Sequence, residues 1–161
     1  MIVAFVIMTS LTAGCAKPAK KHEYGEFAAY VDQFKNEAKT QGLSIEDQDL
    51  VIRYGNEEEV KTKSKVNRAL AICTQEQGVP TVVVDEKWWK DKLPTLDHHE
   101  DLAELVLFHE LGHCILGRHH KDDIDAQNRI PASIMNSKAI PGAVYLEHRP
   151  YYTSELFGKT G

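Results

Sequence analysis

Four of the eight histidines fall between positions 109 and 120, at His109, His113, His119 and His120. The first two belong to His109-Glu110-Leu111-Gly112-His113, an H-E-x-x-H pattern. On a helix, residues four apart differ by about 40° in direction and about 6 Å in height, so both imidazoles leave the same face side by side. Two neutral imidazoles so placed can bind one Zn2+ at about 2.0–2.1 Å. Glu110 then stands next to the metal, where it can take a proton from an activated water and pass it to a leaving amine. A third ligand must come from elsewhere, leaving a fourth position open for chemistry. The competing reading is a pair of core histidines satisfied by hydrogen bonds. It is disfavoured because two imidazoles and a carboxylate late in a buried helix are costly without a purpose.

The surrounding elements must hold this pattern. Apolar residues from Leu102 to Leu116 cover nearly every face, which predicts a central, buried helix. Asp97 with Glu100 reads as its capping box, Asp101 and Glu104 suit the positive end of its dipole, and Gly117 fits its C-terminal cap. Upstream, Phe27, Tyr30, Val31, Phe34 and Ala38 give residues 25–41 helical periodicity, closed by Gly42. Residues 50–54 (LVIRY) and 81–85 (TVVVD) read as strands, and 66–73 (VNRALAIC) as a third. The charged stretch 56–65 reads as a solvated loop or hairpin end, and Gly78-Val79-Pro80 as a turn. A short C-terminal helix is expected near Tyr151–Phe157. Helix, three strands, long helix, irregular segment and short helix make an α+β chain with a small mixed or antiparallel sheet.

The motif resembles the metzincin zinc peptidases, whose pattern is H-E-x-x-H-x-x-G-x-x-H followed by a Met-turn. Ser133-Ile134-Met135-Asn136 is similar to that turn and would set Met135 beneath the metal. More narrowly, HELGHCILGRHH with PASIMN resembles small bacterial and phage-borne metallopeptidases that are often lipoproteins. The resemblance spans about residues 70–157. It implies a zinc-dependent endopeptidase acting on peptide or protein substrates, with Glu110 as general base. The glycine stands at Gly117, one place later than the family pattern. Keeping the histidine-to-histidine spacing selects His119 as third ligand; keeping Gly-x-x-His selects His120, favoured because the glycine turn sets how the chain swings back. The resemblance also implies that strand 81–85 is the rim strand that pairs with extended substrate, with an ordinary core strand as the competing and compatible reading. A tyrosine after the turn (Tyr145, Tyr151 or Tyr152) is a candidate oxyanion donor, with aromatic packing as the competing role.

The first fourteen residues carry no charged side chain and end in small residues before Cys15, the pattern of an export signal. Leu11-Thr12-Ala13-Gly14-Cys15 resembles a bacterial lipobox, with lipid expected on Cys15. The implied organisation is a lipoprotein signal at 1–14, a lipidated cysteine and basic tether at 15–24, and a metallopeptidase domain at 25–161. The resemblance thus implies an exported, membrane-anchored lipoprotein of the periplasm or outer-membrane face. In an oxidising compartment Cys73 and Cys114 are candidates to pair, against two buried thiols. The 161 residues, 42% of them hydrophobic, suffice for a core without a disulfide cage. With 24 acidic and 19 basic residues the net charge is −5, which argues against a nucleic-acid partner.

Other residues carry weaker readings. Asp122, Asp123 and Asp125 form a solvated acidic loop, a poor calcium site, although one of them could orient a zinc histidine. Trp88 and Trp89 read as core or rim packing, His98 and His99 as exposed helix-start residues. Two competing functions remain: a gluzincin-like peptidase completed by Glu147 or Glu155, and a zinc-binding lipoprotein without turnover. Glu110 argues against the second, since a purely structural site needs no base.

Overall fold

The computed structural model describes residues 21–64, 69–127 and 129–158. The lipobox, Cys15 and the first residues of the expected strand at 66–73 lie outside them. Strand β1 (His22–Glu23) leads to helix α1 (Ala28–Thr40), strand β2 (Leu50–Gly55), helix α2 (Glu57–Ser64), strands β3 (Ala71–Glu76) and β4 (Val79–Asp85), and helices α3 (His99–Cys114) and α4 (Gly142–Phe157). The sheet order is β1-β2-β4-β3, with β1, β2 and β4 parallel and β3 antiparallel to β4. The architecture is α+β, with four described strands in a mixed sheet rather than about three. The first of them places His22 and Glu23 in the sheet, ahead of the boundary expected at 25.

β4 is interior, with Val82, Val83 and Val84 fully buried and Thr81 and Asp85 buried on either side of them, as in a strand covered on both faces. It therefore cannot be the rim strand. The two edges of the sheet are β1 and β3, and of these β3 is the one that packs against α3. β3 also lies later in the chain than 66–73, and the reversal into β4 falls at Gln77-Gly78, with φ of 52° and 81°. Two residues of positive φ are what a tight hairpin turn demands; Val79 and Pro80 belong to the strand.

Three further expectations are corrected. Residues 57–64 form a helix, because the Asn56 side chain accepts the Glu59 N–H at 2.8 Å and Glu57, Glu58, Lys61 and Lys63 complement the dipole. Only Val60 of this helix is buried, so no apolar period announces it. α3 starts at His99 after a left-handed His98 whose side chain makes no cap hydrogen bond, so the expected capping box at Asp97 does not form. α4 begins at Gly142, well before Tyr151, and kinks at His148 beside Pro150, whose ring removes a helical hydrogen bond.

α3 is the central helix. It packs on β3, β4, α1 and α4. Phe34 of α1, Phe108 of α3 and Phe157 of α4 meet edge to face, with centroid separations from 4.8 to 6.1 Å. Near its start, buried Glu104 accepts from Gln33, Tyr145 and Arg149, and Arg149 also reaches Glu37 at 2.9 Å. This network ties α1, α3 and α4 together. None of the described helices is long and apolar enough to cross a membrane.

Candidate metal centre

His109 and His113 leave α3 one turn apart, as their spacing requires. The chain then passes Gly117, whose φ of 62° turns it back, and delivers His120 to the same point. The His113 Nε2 lies 3.2 Å from the Nε2 of His109 and 3.2 Å from that of His120. All three ligand atoms lie within 4.8 Å of one another. His119 is exposed and stays outside the cluster, so of the two candidates the fold gathers His120.

The tautomers follow from the outer hydrogen bonds. His109 Nδ1 lies 2.8 Å from the Ile134 carbonyl and His113 Nδ1 lies 2.6 Å from the Arg118 carbonyl. A carbonyl can only accept, so both Nδ1 atoms carry the proton and both Nε2 atoms present lone pairs. Their 3.2 Å contact is therefore two acceptors facing each other, which calls for a cation between them. Tetrahedral nitrogen ligands at about 2.0–2.1 Å stand roughly 3.3–3.4 Å apart, close to what is seen, so the residues fit a zinc ion. Burial, the larger cause, holds the pKa of both imidazoles below the ordinary value, against the pull of their carbonyl partners. Both are thus neutral at pH 7, the form that ligates.

Glu110 is buried and faces the edge strand. Its Oε2 accepts the Cys73 N–H at 2.7 Å, the one hydrogen bond it makes among the described residues. Burial raises its pKa above the ordinary carboxylate range, opposed by His113 and the Cys73 N–H. Cys73 and Cys114 are joined by a disulfide with a Cα–Cα distance of 5.6 Å. The bond ties β3 to the last residue of α3, next to His113.

The Ser133–Asn136 turn packs beneath the helix. Met135 is buried, and a Cβ on Gly112 would sit 2.6 Å from its Sδ and 3.2 Å from Leu156 Cδ1, so the bare glycine leaves room for both side chains. The histidines, Glu110 and Cys73 open onto a cleft of about 540 Å3, whose apolar walls include Ile72, Trp88, Leu102, Val106 and Ile140. Trp89 instead packs in the core against Phe27 and Tyr30.

Several expected site residues are elsewhere. Tyr145 is buried against Glu104, Tyr151 donates to the Ala132 carbonyl at 3.0 Å, and Tyr152 is buried in the core; none lines the cleft. Asp122 binds the Ser137 N–H at 2.7 Å and its hydroxyl at 2.8 Å, which lowers its pKa, the backbone bond first. The partners that orient His109 and His113 are backbone carbonyls rather than aspartates. Among the described residues the three histidines form the one group placed to hold a metal ion. Glu155 is engaged by Ser133 and Lys121, and Glu147 is exposed beside His148, so neither carboxylate joins the cluster. His98 and His99 are exposed, as expected. Sequence reasoning missed the roles of the Arg118 carbonyl and the Cys73 N–H, because backbone groups carry no sequence signal. Compared with protein-family models, curated proteins and solved structures, the chain matches none of them.

Proposed function

We propose that the protein is a zinc-dependent endopeptidase. The observation that carries this reading is the convergence of three imidazole Nε2 atoms, two of them with tautomers set for ligation, beside a buried carboxylate that keeps spare acceptor capacity. His109, His113 and His120 would hold the ion. Bound there, zinc supplies Lewis acidity toward a peptide carbonyl and toward water. Glu110 acts as the general base. Its raised proton affinity suits it to accept a proton from water and to release it to the departing amine. The Cys73 N–H holds one of its oxygens in place. The substrate lies extended in the cleft, along the edge formed by β3, with apolar side chains against Trp88, Leu102, Val106 and Ile140. The similarity of the helix and turn motifs to metzincins agrees with this chemistry.

The same reading extends to location. Export and lipid attachment at Cys15 accord with the disulfide, which is stable in an oxidising compartment. Retention of labelled lipid in wild type and its loss in Cys15→Ser is the expected outcome.

The central test is metal content with peptide hydrolysis. One zinc per chain is expected, lost in His109→Ala, His113→Ala and His120→Ala and kept in His119→Ala. Glu110→Gln is expected to keep zinc and lose hydrolysis. A folded wild-type chain that takes up no added zinc would sink the proposal. Zinc binding without hydrolysis of any peptide in a diverse pool would make the protein a metal holder instead.

A further inference from the structure

We infer that the C-terminal end of α4 with its cap, residues 155–158, is the positioning element for the metal-binding histidines, acting through Arg118 and Glu155. The inference rests on the metal reading above but concerns residues outside the ligand set.

Both ligand orientations depend on a backbone carbonyl in an irregular segment. Each segment is anchored to the same helix end. The Arg118 carbonyl accepts from His113 Nδ1. The Arg118 guanidinium donates from Nη2 to the Leu156 and Gly158 carbonyls, each at 2.9 Å. The last carbonyls of a helix lack internal donors, so a cationic fork is a fitting partner for them. Arg118 also lies two residues before His120, so the same anchor limits where that imidazole can sit.

The second path reaches His109. The Ile134 carbonyl accepts from His109 Nδ1. Its turn is held by the fully buried Ser133 hydroxyl, which donates to Glu155 Oε2 at 2.6 Å and accepts the Met135 N–H at 3.0 Å. Glu155 Oε1 pairs with Lys121 at 3.2 Å, and the Lys121 N–H donates to the Met135 carbonyl at 2.9 Å. Glu155 thus grips Met135 from both sides through two intermediaries. Phe157, buried between Phe34 and Phe108, fixes this turn to α1 and α3. Arg118 and Glu155 touch no ligand nitrogen with their side chains; they act as positioning residues.

The test uses the full chain with Arg118→Met and Glu155→Ala. Three quantities are measured: zinc affinity by chelator competition, histidine tautomers in the metal-free protein by ring-nitrogen NMR, and folding by near-ultraviolet circular dichroism. Each variant is expected to weaken zinc binding about 10–100-fold, the usual cost of losing a partner behind a metal ligand. The Nδ1–H signature of His113 should be lost in Arg118→Met and that of His109 in Glu155→Ala. Glu155→Gln keeps an acceptor for Ser133 and should recover most of the affinity. Should a variant not fold, Arg118→Lys and Ser133→Ala cut the same two links more gently. Folded variants with wild-type affinity and wild-type tautomers would overturn the inference while leaving the metal site intact. A wild-type chain that binds no zinc would sink the metal reading, and this inference with it.

Discussion

Two glutamates on α3 make an instructive pair. Glu104 and Glu110 sit on one helix with nearly equal exposure, 6% and 8%. Glu104 is saturated: Gln33, Tyr145 and Arg149 donate to both its oxygens. Glu110 receives one backbone N–H and faces a cleft lined by imidazoles. A buried carboxylate with every lone pair occupied can only hold elements together. One left with unused lone pairs is held in place and still able to accept a proton. Residue type and burial do not separate the two roles; the partners do.

The largest expected effect separates them by activity. Glu110→Gln should lower peptide hydrolysis about 10²–10⁴-fold, the usual worth of a general base, with zinc content unchanged. Equal activity in this variant would erase the distinction. Its stability should move the other way. The folded-state pKa of Glu110 is raised, so the stability it contributes is present below the ordinary value of 4.5 and is lost as pH rises through the folded-state pKa. Metal-free wild type should therefore lose stability across that window, and metal-free Glu110→Gln should not; thermal melts against pH read this directly.

The converse substitution, Glu104→Gln, should cost stability and spare the metal. Removing one partner of a buried pair costs about 3–5 kcal/mol, and the low end applies because Arg149 remains 26% exposed. Denaturant unfolding measures the loss, and zinc per chain should stay at one. A Glu104→Gln protein that unfolds like wild type would show the network to be decorative.

A smaller effect sharpens the metal side. Burial depresses the pKa values of His109 and His113, so at these two ligands protons compete with zinc only below the ordinary 6.5. Zinc affinity should be level above that pH and fall steeply beneath it. The smallest effect lies at the surface. Arg53, then Lys63, hold Glu59 and Glu76 down to about 2. These carboxylates compete with water, so Lys63→Met should cost roughly 0.5 kcal/mol at neutral pH. The stability this cluster supplies is present above 4.5 and lost as pH falls toward 2.

The same contrast explains what could be read from the sequence. His109, Glu110 and His113 were legible because a helix of known period places them together. β4 was legible because four of its residues are apolar or β-branched in a row. Glu104 reads in the sequence only as a complement to the helix dipole, since nothing local reveals that Gln33 and Arg149 converge on it from distant positions. α2 was hidden because its stability comes from the Asn56 cap and ordered charges rather than an apolar stripe. The first half of α4 was hidden by Pro150, which reads as a helix stop but here produces a kink. The choice between His119 and His120 depended on the path after Gly117, a tertiary matter.

The disulfide between Cys73 and Cys114 also changes what it means for this chain to be cut. It closes a covalent ring that contains β4, the exposed stretch around Asp97 and His98, and all of α3. A single nick anywhere in that ring leaves both pieces in one molecule. On a nonreducing gel a clipped chain would run as one species, and only a reductant would release two fragments. Damage from proteolysis would accumulate unseen, and the covalent integrity of a preparation must be judged after reduction.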